Sequence, residues 1–411
     1  MRVLHLPPEL PSWPGGTGGA TRQFHLLRRL VELGHEVTVV APVPAGEAHR
    51  AEALEEAGIR LEGRWRPTSR LRESVEALLR EPELMRDAAT RPVLAWKVGV
   101  FWSKLRGVAA RVVADLRPDV VTVEHDSSAG WVADVPRHVP CVLVLQNVGW
   151  EYYASRAGAA GAAAGAFFRG EAWRFRRHDT RWFSSYAALI AMSDADAASI
   201  RDVTSTAVEV VPNGVASDAL VALPASQEPA TLLFTGTLSH PPNADGIRWF
   251  AESIWPAIRR RQPDAQLLVV GRDPPRSLLD LGGRNGIDVV GPVPEMAPYF
   301  GRATAVVVPL RSGGGTRLKI LEAMSCRRAV VSTSVGCEGL EVADGRDLLV
   351  ADGEAAFEAR TLSLLADPAL RERLAEAGRE LVERRYDWRT LGDELARVLL
   401  KVSGGRAHGS A

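Results

Sequence analysis

Ala305-Val-Val-Val-Pro-Leu-Arg-Ser-Gly-Gly-Gly-Thr-Arg-Leu-Lys-Ile-Leu-Glu-Ala-Met324 holds a strand, a glycine turn and a helix in twenty residues. Ala305 to Val308 is a short, wholly apolar run, the pattern of a strand covered on both faces. Pro309 stops it, three glycines follow, and an amphipathic helix is expected from near Thr316. Glycines at a strand-to-helix turn let backbone amides approach a phosphate, and the helix N-terminus adds partial positive charge. Lys319 and Glu322, three residues apart, share a helical face. An ammonium beside phosphates and a carboxylate one turn deeper suit a nucleotide, through its diphosphate and its ribose hydroxyls.

The same grammar repeats on both sides of this stretch. Strands are expected at Val3–Leu6, Glu36–Val40, Val120–Val123, Val142–Leu145, Leu189–Ala191 and Val208–Val211, with a helix from Thr21 to Leu33 closed by Gly34. A second series runs through Thr231–Phe234, Gln266–Val270, Ile287–Val290, Ala305–Val308, Ala329–Val331 and Leu348–Val350. Apolar strands alternating with helices imply parallel sheets with both faces covered. Between the series, Pro212-Asn-Gly214 and a polar stretch to Pro229 read as a linker. The expectation is an α/β chain of two doubly wound domains, 1–210 and 230–385, joined by a linker over 211–229, with ligands beyond the carboxyl ends of the strands and the active site in the cleft between the domains. Residues 401–411 have no periodicity and read as a disordered tail.

Composition narrows the function. The 411 residues carry 50 basic and 50 acidic side chains, so the chain lacks the basic surplus of a general nucleic-acid binder. Its three cysteines, Cys141, Cys326 and Cys337, are scattered without disulfide-framework or metal-ligand spacing, which points to a reducing compartment. No run approaches the roughly 20 apolar residues of a membrane span. The start, Met1 to Pro8, meets proline too early for a secretory h-region. A soluble, cytoplasmic protein is the expectation. Asp194 and Asp196 follow Ser193 at what reads as a helix N-cap, so their spacing is assigned to capping and no metal is expected.

Leu318-Lys-Ile-Leu-Glu-Ala-Met324, followed by Ala329-Val-Val-Ser-Thr-Ser-Val-Gly-Cys-Glu-Gly339, resembles the donor-site signature of family-4 retaining glycosyltransferases, nucleotide-sugar-dependent enzymes of the GT-B fold. Val210-Val-Pro-Asn-Gly-Val215, Phe234-Thr-Gly-Thr-Leu238, Ser193-Asp-Ala-Asp-Ala197 and Tyr386-Asp-Trp388 agree with the family in order, so the resemblance covers nearly the whole chain. It implies a last helix, 386–400, that packs back toward the first domain. Glu322 matches the second Glu of the family's Glu-x7-Glu motif, which binds the donor ribose. The first falls on Gly314, and the Gly313-Gly314-Gly315-Thr316 variant resembles a subset in which backbone amides meet the donor. The loop Gly236 to Gly246 also lacks the Arg and Lys that many members use for the diphosphate. Lys319 is therefore assigned first to the leaving diphosphate, with Arg317 second and Arg272 third. The donor-side set implied is Gly236, Arg272, Val293, Gly313, Gly314, Gly315, Thr316, Leu318 and Glu322.

In the first domain Pro14-Gly-Gly-Thr-Gly-Gly-Ala20 fails as a dinucleotide fingerprint, because the third glycine of G-x-G-x-x-G would fall on Thr21. By resemblance, Gly16, Gly18 and Gly19 form a mobile loop facing donor phosphates and acceptor. His125, at the end of a strand between Glu124 and Asp126, coincides with a family histidine near the reacting sugar. Its expected role is a hydrogen bond to a hydroxyl, and one of the two acids is expected to orient it. Asn147 and Glu151 match acceptor-side positions, with Gln146 in place of a family histidine. Trp173-Arg-Phe-Arg-Arg-His178 reads as a basic, aromatic helix face, for which a solvated surface is favoured over contact with an anionic acceptor or a peripheral contact with a membrane surface. Together these imply a metal-independent retaining transferase without a cofactor, acting on a nucleotide sugar and a hydroxyl acceptor. Another GT-B enzyme, an epimerase or an inverting transferase, and a non-catalytic nucleotide-sugar-binding protein are the alternatives; a dinucleotide-dependent dehydrogenase is disfavoured by the broken glycine spacing.

Overall fold

β-branched and aliphatic runs of two to five residues build two sheets, each parallel throughout. The computed structural model describes residues 1–13, 17–43, 46–63, 91–159, 161–218, 230–313 and 317–404. The chain divides into two compact units, Met1–Pro212 with Trp388–Ala411, and Asn213–Asp387. Much of the expected linker (219–229) and of the expected tail (405–411) lies outside the described residues.

The first unit holds β1 (Arg2–Leu6), β2 (Glu36–Val40), β3 (Arg60–Glu62), β4 (Val120–Glu124), β5 (Cys141–Val144), β6 (Ala188–Ala191) and β7 (Val208–Val210). They lie in the order β3-β2-β1-β4-β5-β6-β7. Leu4, Val121, Leu143 and Leu189 are fully buried, as strands sandwiched between helices must be. The second unit holds β8 (Thr231–Thr235), β9 (Gln266–Val270), β10 (Ile287–Val290), β11 (Ala305–Val308), β12 (Val330–Ser332) and β13 (Leu349–Val350), in the order β10-β9-β8-β11-β12-β13. Each sheet thus reverses direction once, between β1 and β4 and between β8 and β11.

Four boundaries differ from the sequence expectation. Strand β3 was not anticipated; its Arg-Leu-Glu has one apolar residue and is a strand because it pairs with β2. The first helix is Gly18–Glu32 rather than Thr21–Leu33, because the Thr17 side chain accepts from the Ala20 amide and sets the start three residues earlier. Gly18 and Gly19 are therefore helical. The signature helix is Leu318–Ser325, since Arg317 has non-helical backbone angles. The last helix is Trp388–Val402 rather than 386–400, so Lys401 and Val402, expected in a disordered tail, continue the helix. Tyr386 is 1% exposed in the second unit's core, where its hydroxyl accepts from the Glu341 amide at 2.7 Å.

Helix Trp388–Val402 packs on helix Gly18–Glu32. Trp388 stacks on His25 with centroids 5.6 Å apart, and Gly392 leaves room for the Arg29 side chain. Leu391 and Leu399 of this helix are fully buried. Leu399→Ala should cost about 2–5 kcal/mol. A urea titration should show an earlier unfolding transition with helix Gly18–Glu32 losing amide protection first; an unshifted transition would show that the last helix adds nothing to that core.

Candidate functional site

In an open parallel sheet, loops diverge where the strand order reverses, and the crevice there is the natural ligand site. In the second unit that point lies beyond β8 and β11. Gly236, directly after β8, has φ 148°. A Cβ there would sit 2.9 Å from Asn243 Nδ2 and 3.1 Å from Lys319 Nζ. Gly271 after β9 is also held to glycine, because a Cβ would strike the Gly236 carbonyl. The two close approaches fix this corner of the sheet as bare backbone.

Lys319 crosses from helix Leu318–Ser325 to this loop. Its Nζ donates to Asn243 Oδ1 at 2.8 Å and lies 4.2 Å from the Phe234 ring centroid, a cation–π contact. Asn243 is itself held by its Nδ2, which donates to the Thr237 carbonyl at 2.9 Å. Burial, reinforced by Arg317 and opposed by Glu322, lowers the Lys319 ammonium to about 7. Burial also raises Glu322, against the pull of Lys319. The Glu322 carboxylate makes no hydrogen bond or ion pair among the described residues. Arg317 is nearly buried, and burial lowers it against the charge of Glu338. A Cβ on Gly313, whose φ is 114°, would lie 3.2 Å from Arg317 Nη2. Leu318 opens the helix and is half-buried.

The Arg272 side chain is exposed, and its carbonyl accepts from the Leu238 amide at 2.8 Å. Val293 packs half-buried against the hydrophobic core. Gly16, Gly314, Gly315 and Thr316 lie outside the described residues. Sequence reasoning missed Asn243. The loop Gly236–Gly246 has no cation of its own; Lys319 reaches it from a segment 76 residues away, and Asn243 receives it.

In the first unit the reversal lies between β1 and β4, and Glu124-His125-Asp126 leaves β4 there. His125 has φ 75° and caps the 3-10 turn Asp126–Asp134. Its Nδ1 is 2.7 Å from Asp126 Oδ1 and 2.8 Å from Ser127 Oγ. Burial disfavours its charged form, but Asp126, then Glu124 and Glu9, outweigh that and leave it raised. Asp126 is thus the acid in contact with His125. Glu124 turns to Gln146, whose Nε2 donates to it at 2.9 Å, and burial pushes its carboxyl up to about 7 against the pull of Arg22. The fully buried Arg22 donates to the carbonyls of Val211 and Pro212.

Two further residues escaped the sequence. Gln146, read only as a departure from the family, supports Glu124 and occupies the space a side chain on Gly19 would need. Asp179, on helix Ala162–Phe183, is fully buried, and burial together with the charge of Asp126 raises its carboxyl well above the usual range. It sits 3.0 Å from His178 Nδ1, and burial lowers that imidazole to about 4. Asn147 and Glu151 are exposed, Glu151 in the first turn of helix Gly149–Ala159.

Comparisons with known proteins fit both units. Residues 17–214 match the glycosyl transferase 4-like domain, and residues 229–367 match the domain described as glycosyl transferases group 1. Phosphatidyl-myo-inositol mannosyltransferase of Mycobacterium leprae is 30% identical over 233 residues, 54% of this chain and 61% of that protein. Alignments to the first curated relatives cover between 42% and 61% of their lengths. Sucrose-phosphate synthase from Thermosynechococcus elongatus superposes with a TM-score of 0.66 at 17% identity, covering 98% of this chain and all of that one. Anabaena HepE in complex with UDP gives 0.65 at 14% identity, with 98% and 100% coverage. The fold is therefore GT-B, two Rossmann-like domains in tandem.

Lys319 holds its proton below about pH 7 and loses it above. Affinity for a nucleoside diphosphate that relies on this ammonium should weaken as pH rises from 6 to 8.5, when followed by calorimetry. Lys319→Met should flatten that dependence; a variant with the wild-type slope would remove Lys319 as its source.

Proposed function

We propose that this chain, whose two units each match a glycosyltransferase domain model, is a glycosyltransferase that moves a sugar from a nucleoside-diphosphate sugar to a hydroxyl acceptor, with retention of configuration and without a metal. The observation that carries the donor assignment is the Lys319–Asn243–Gly236 contact at the reversal of the second sheet, with the uncommitted Glu322 carboxylate on the same helix.

In this reading the diphosphate lies against the backbone after β8 and is assigned to Gly313, Gly314, Gly315 and Thr316. Lys319, seconded by Arg317, offsets the negative charge that grows on the leaving group as the anomeric C–O bond breaks. Glu322 accepts hydrogen bonds from the ribose hydroxyls, a task for an ionised carboxylate with free lone pairs. The acceptor oxygen forms the new bond to the anomeric carbon on the face the diphosphate leaves. The hydroxyl proton passes to the departing diphosphate oxygen. His125, oriented by Asp126, donates or accepts a hydrogen bond at a sugar or acceptor hydroxyl. Arg272, Val293 and Leu318 complete the donor side in this assignment. Asn147, Glu151 and the glycines 16, 18 and 19 are assigned to the acceptor.

Titration with UDP, GDP, dTDP and ADP should reveal selective binding of one of them. Glu322→Ala should weaken that binding at least about tenfold, the loss of one or two hydrogen bonds to a charged group. Lys319→Ala should raise the donor KM or lower kcat by a similar factor. Binding of none of the four, or unchanged kinetics in both variants, would refute the donor assignment.

Two features are tested separately. NMR of the product should show the donor's anomeric configuration, and an inverted linkage would overturn retention. Turnover should persist in excess EDTA after dialysis; loss of activity restored by a divalent cation would overturn metal independence. Nucleoside diphosphate released only when an acceptor is present would separate a transferase from a protein that merely binds the donor.

A further inference from the structure

Helix Ala162–Phe183 carries two acids, Glu171 and Asp179, and both are buried, 1% and 0% exposed. Its arginines point the other way. Arg169, Arg176, Arg177 and Arg181 are exposed, and none of the four forms an ion pair among the described residues. Arg174 differs, since it pairs with Glu171. Arg169, Trp173, Arg176 and Arg177 fall at i, i+4, i+7 and i+8, which places them on one stripe. Within a chain of 50 basic and 50 acidic residues, the outer face of this helix is purely cationic.

The same helix also exposes apolar surface. Trp173 and Phe167, 55% and 51% exposed, lead the exposed large apolar side chains of the described residues. The Arg177 guanidinium lies 5.8 Å from the Trp173 ring. The preceding helix, Gly149–Ala159, adds exposed Tyr152 and Arg156, together with one acid, Glu151. Trp173, on the arginine stripe, gives this cationic face a large apolar ring as well as charge. Indole and phenyl groups enter the headgroup boundary while arginines beside them meet lipid phosphates.

We infer that the outer face of helix Ala162–Phe183 docks on an anionic lipid surface, with Trp173 inserted, Arg169, Arg176 and Arg177 against the headgroups, and Phe167 and Arg181 at the margin of the contact. This is a peripheral contact, since no helix of the described residues is long and apolar enough to cross a membrane. Charge complementarity selects the partner: an anionic bilayer gives these cations counter-charges at high local density and accepts the rings as well. The inference does not depend on the proposed reaction.

Co-sedimentation of the full chain with vesicles tests it. Binding is expected to vesicles of phosphatidylglycerol mixed with phosphatidylcholine and not to phosphatidylcholine alone. The double reversal Arg176→Glu with Arg177→Glu should reduce the partition coefficient at least about twentyfold, each lost charge contributing roughly fivefold. Arg260→Glu with Arg261→Glu, on exposed positions of another helix, makes the same change in net charge and should leave binding within about twofold of wild type. Trp173→Ala should weaken binding most at high salt, where the apolar part dominates. Circular dichroism would verify that the variants are folded. No binding to the anionic vesicles, or equal losses in the two double reversals, would overturn the inference.

Discussion

A parallel strand cannot turn straight back into its neighbour; the chain must return across a face of the sheet, and each return covers that face. This constraint makes β11 wholly apolar and β8 apolar between its terminal threonines, with both strands buried along their length. It also forces a reversal of order once a sheet has grown outward on one side, as at β1/β4 and β8/β11. The residues that combine charge with close backbone approach are found at those two reversals. His125 follows β4, and Gly236, met by Lys319, follows β8.

Low polarizability is what turns those residues from decoration into chemistry. Burial is the leading cause of the shifts at Lys319, Glu322, Arg317 and Glu124. A lysine held near 7 is only partly charged at neutral pH, and an anion beside it would draw the proton on. In the first unit the balance is different. Glu124 is tied to Gln146 and faces the Arg22 charge, while Asp126 is left to hold His125.

Much of this was legible in the chain. The twelve apolar runs anticipated as strands all occur as strands, because a segment buried on both faces has to be apolar along its length whatever its partners. Strand β3 was not legible, since Arg60-Leu-Glu62 owes its extended form to the ladder with β2. The start of helix Gly18–Glu32 was misplaced because glycines read as loop, whereas the Thr17 cap decides. The segment 173–178 was read as a solvated face, and His178 within it is instead nearly buried beside Asp179.

The sequence by itself determined the two-domain α/β architecture and the placing of Lys319 and Glu322 on one helix after β11. These depend on periodicity, a local property. Only the tertiary structure decided that Lys319 reaches Asn243, that Asp126 and not Glu124 contacts His125, and that both acids of helix Ala162–Phe183 face inward. Each of these depends on which distant segment fills the space beside a side chain. That is set by the packing of whole elements, and no spacing within one segment records it.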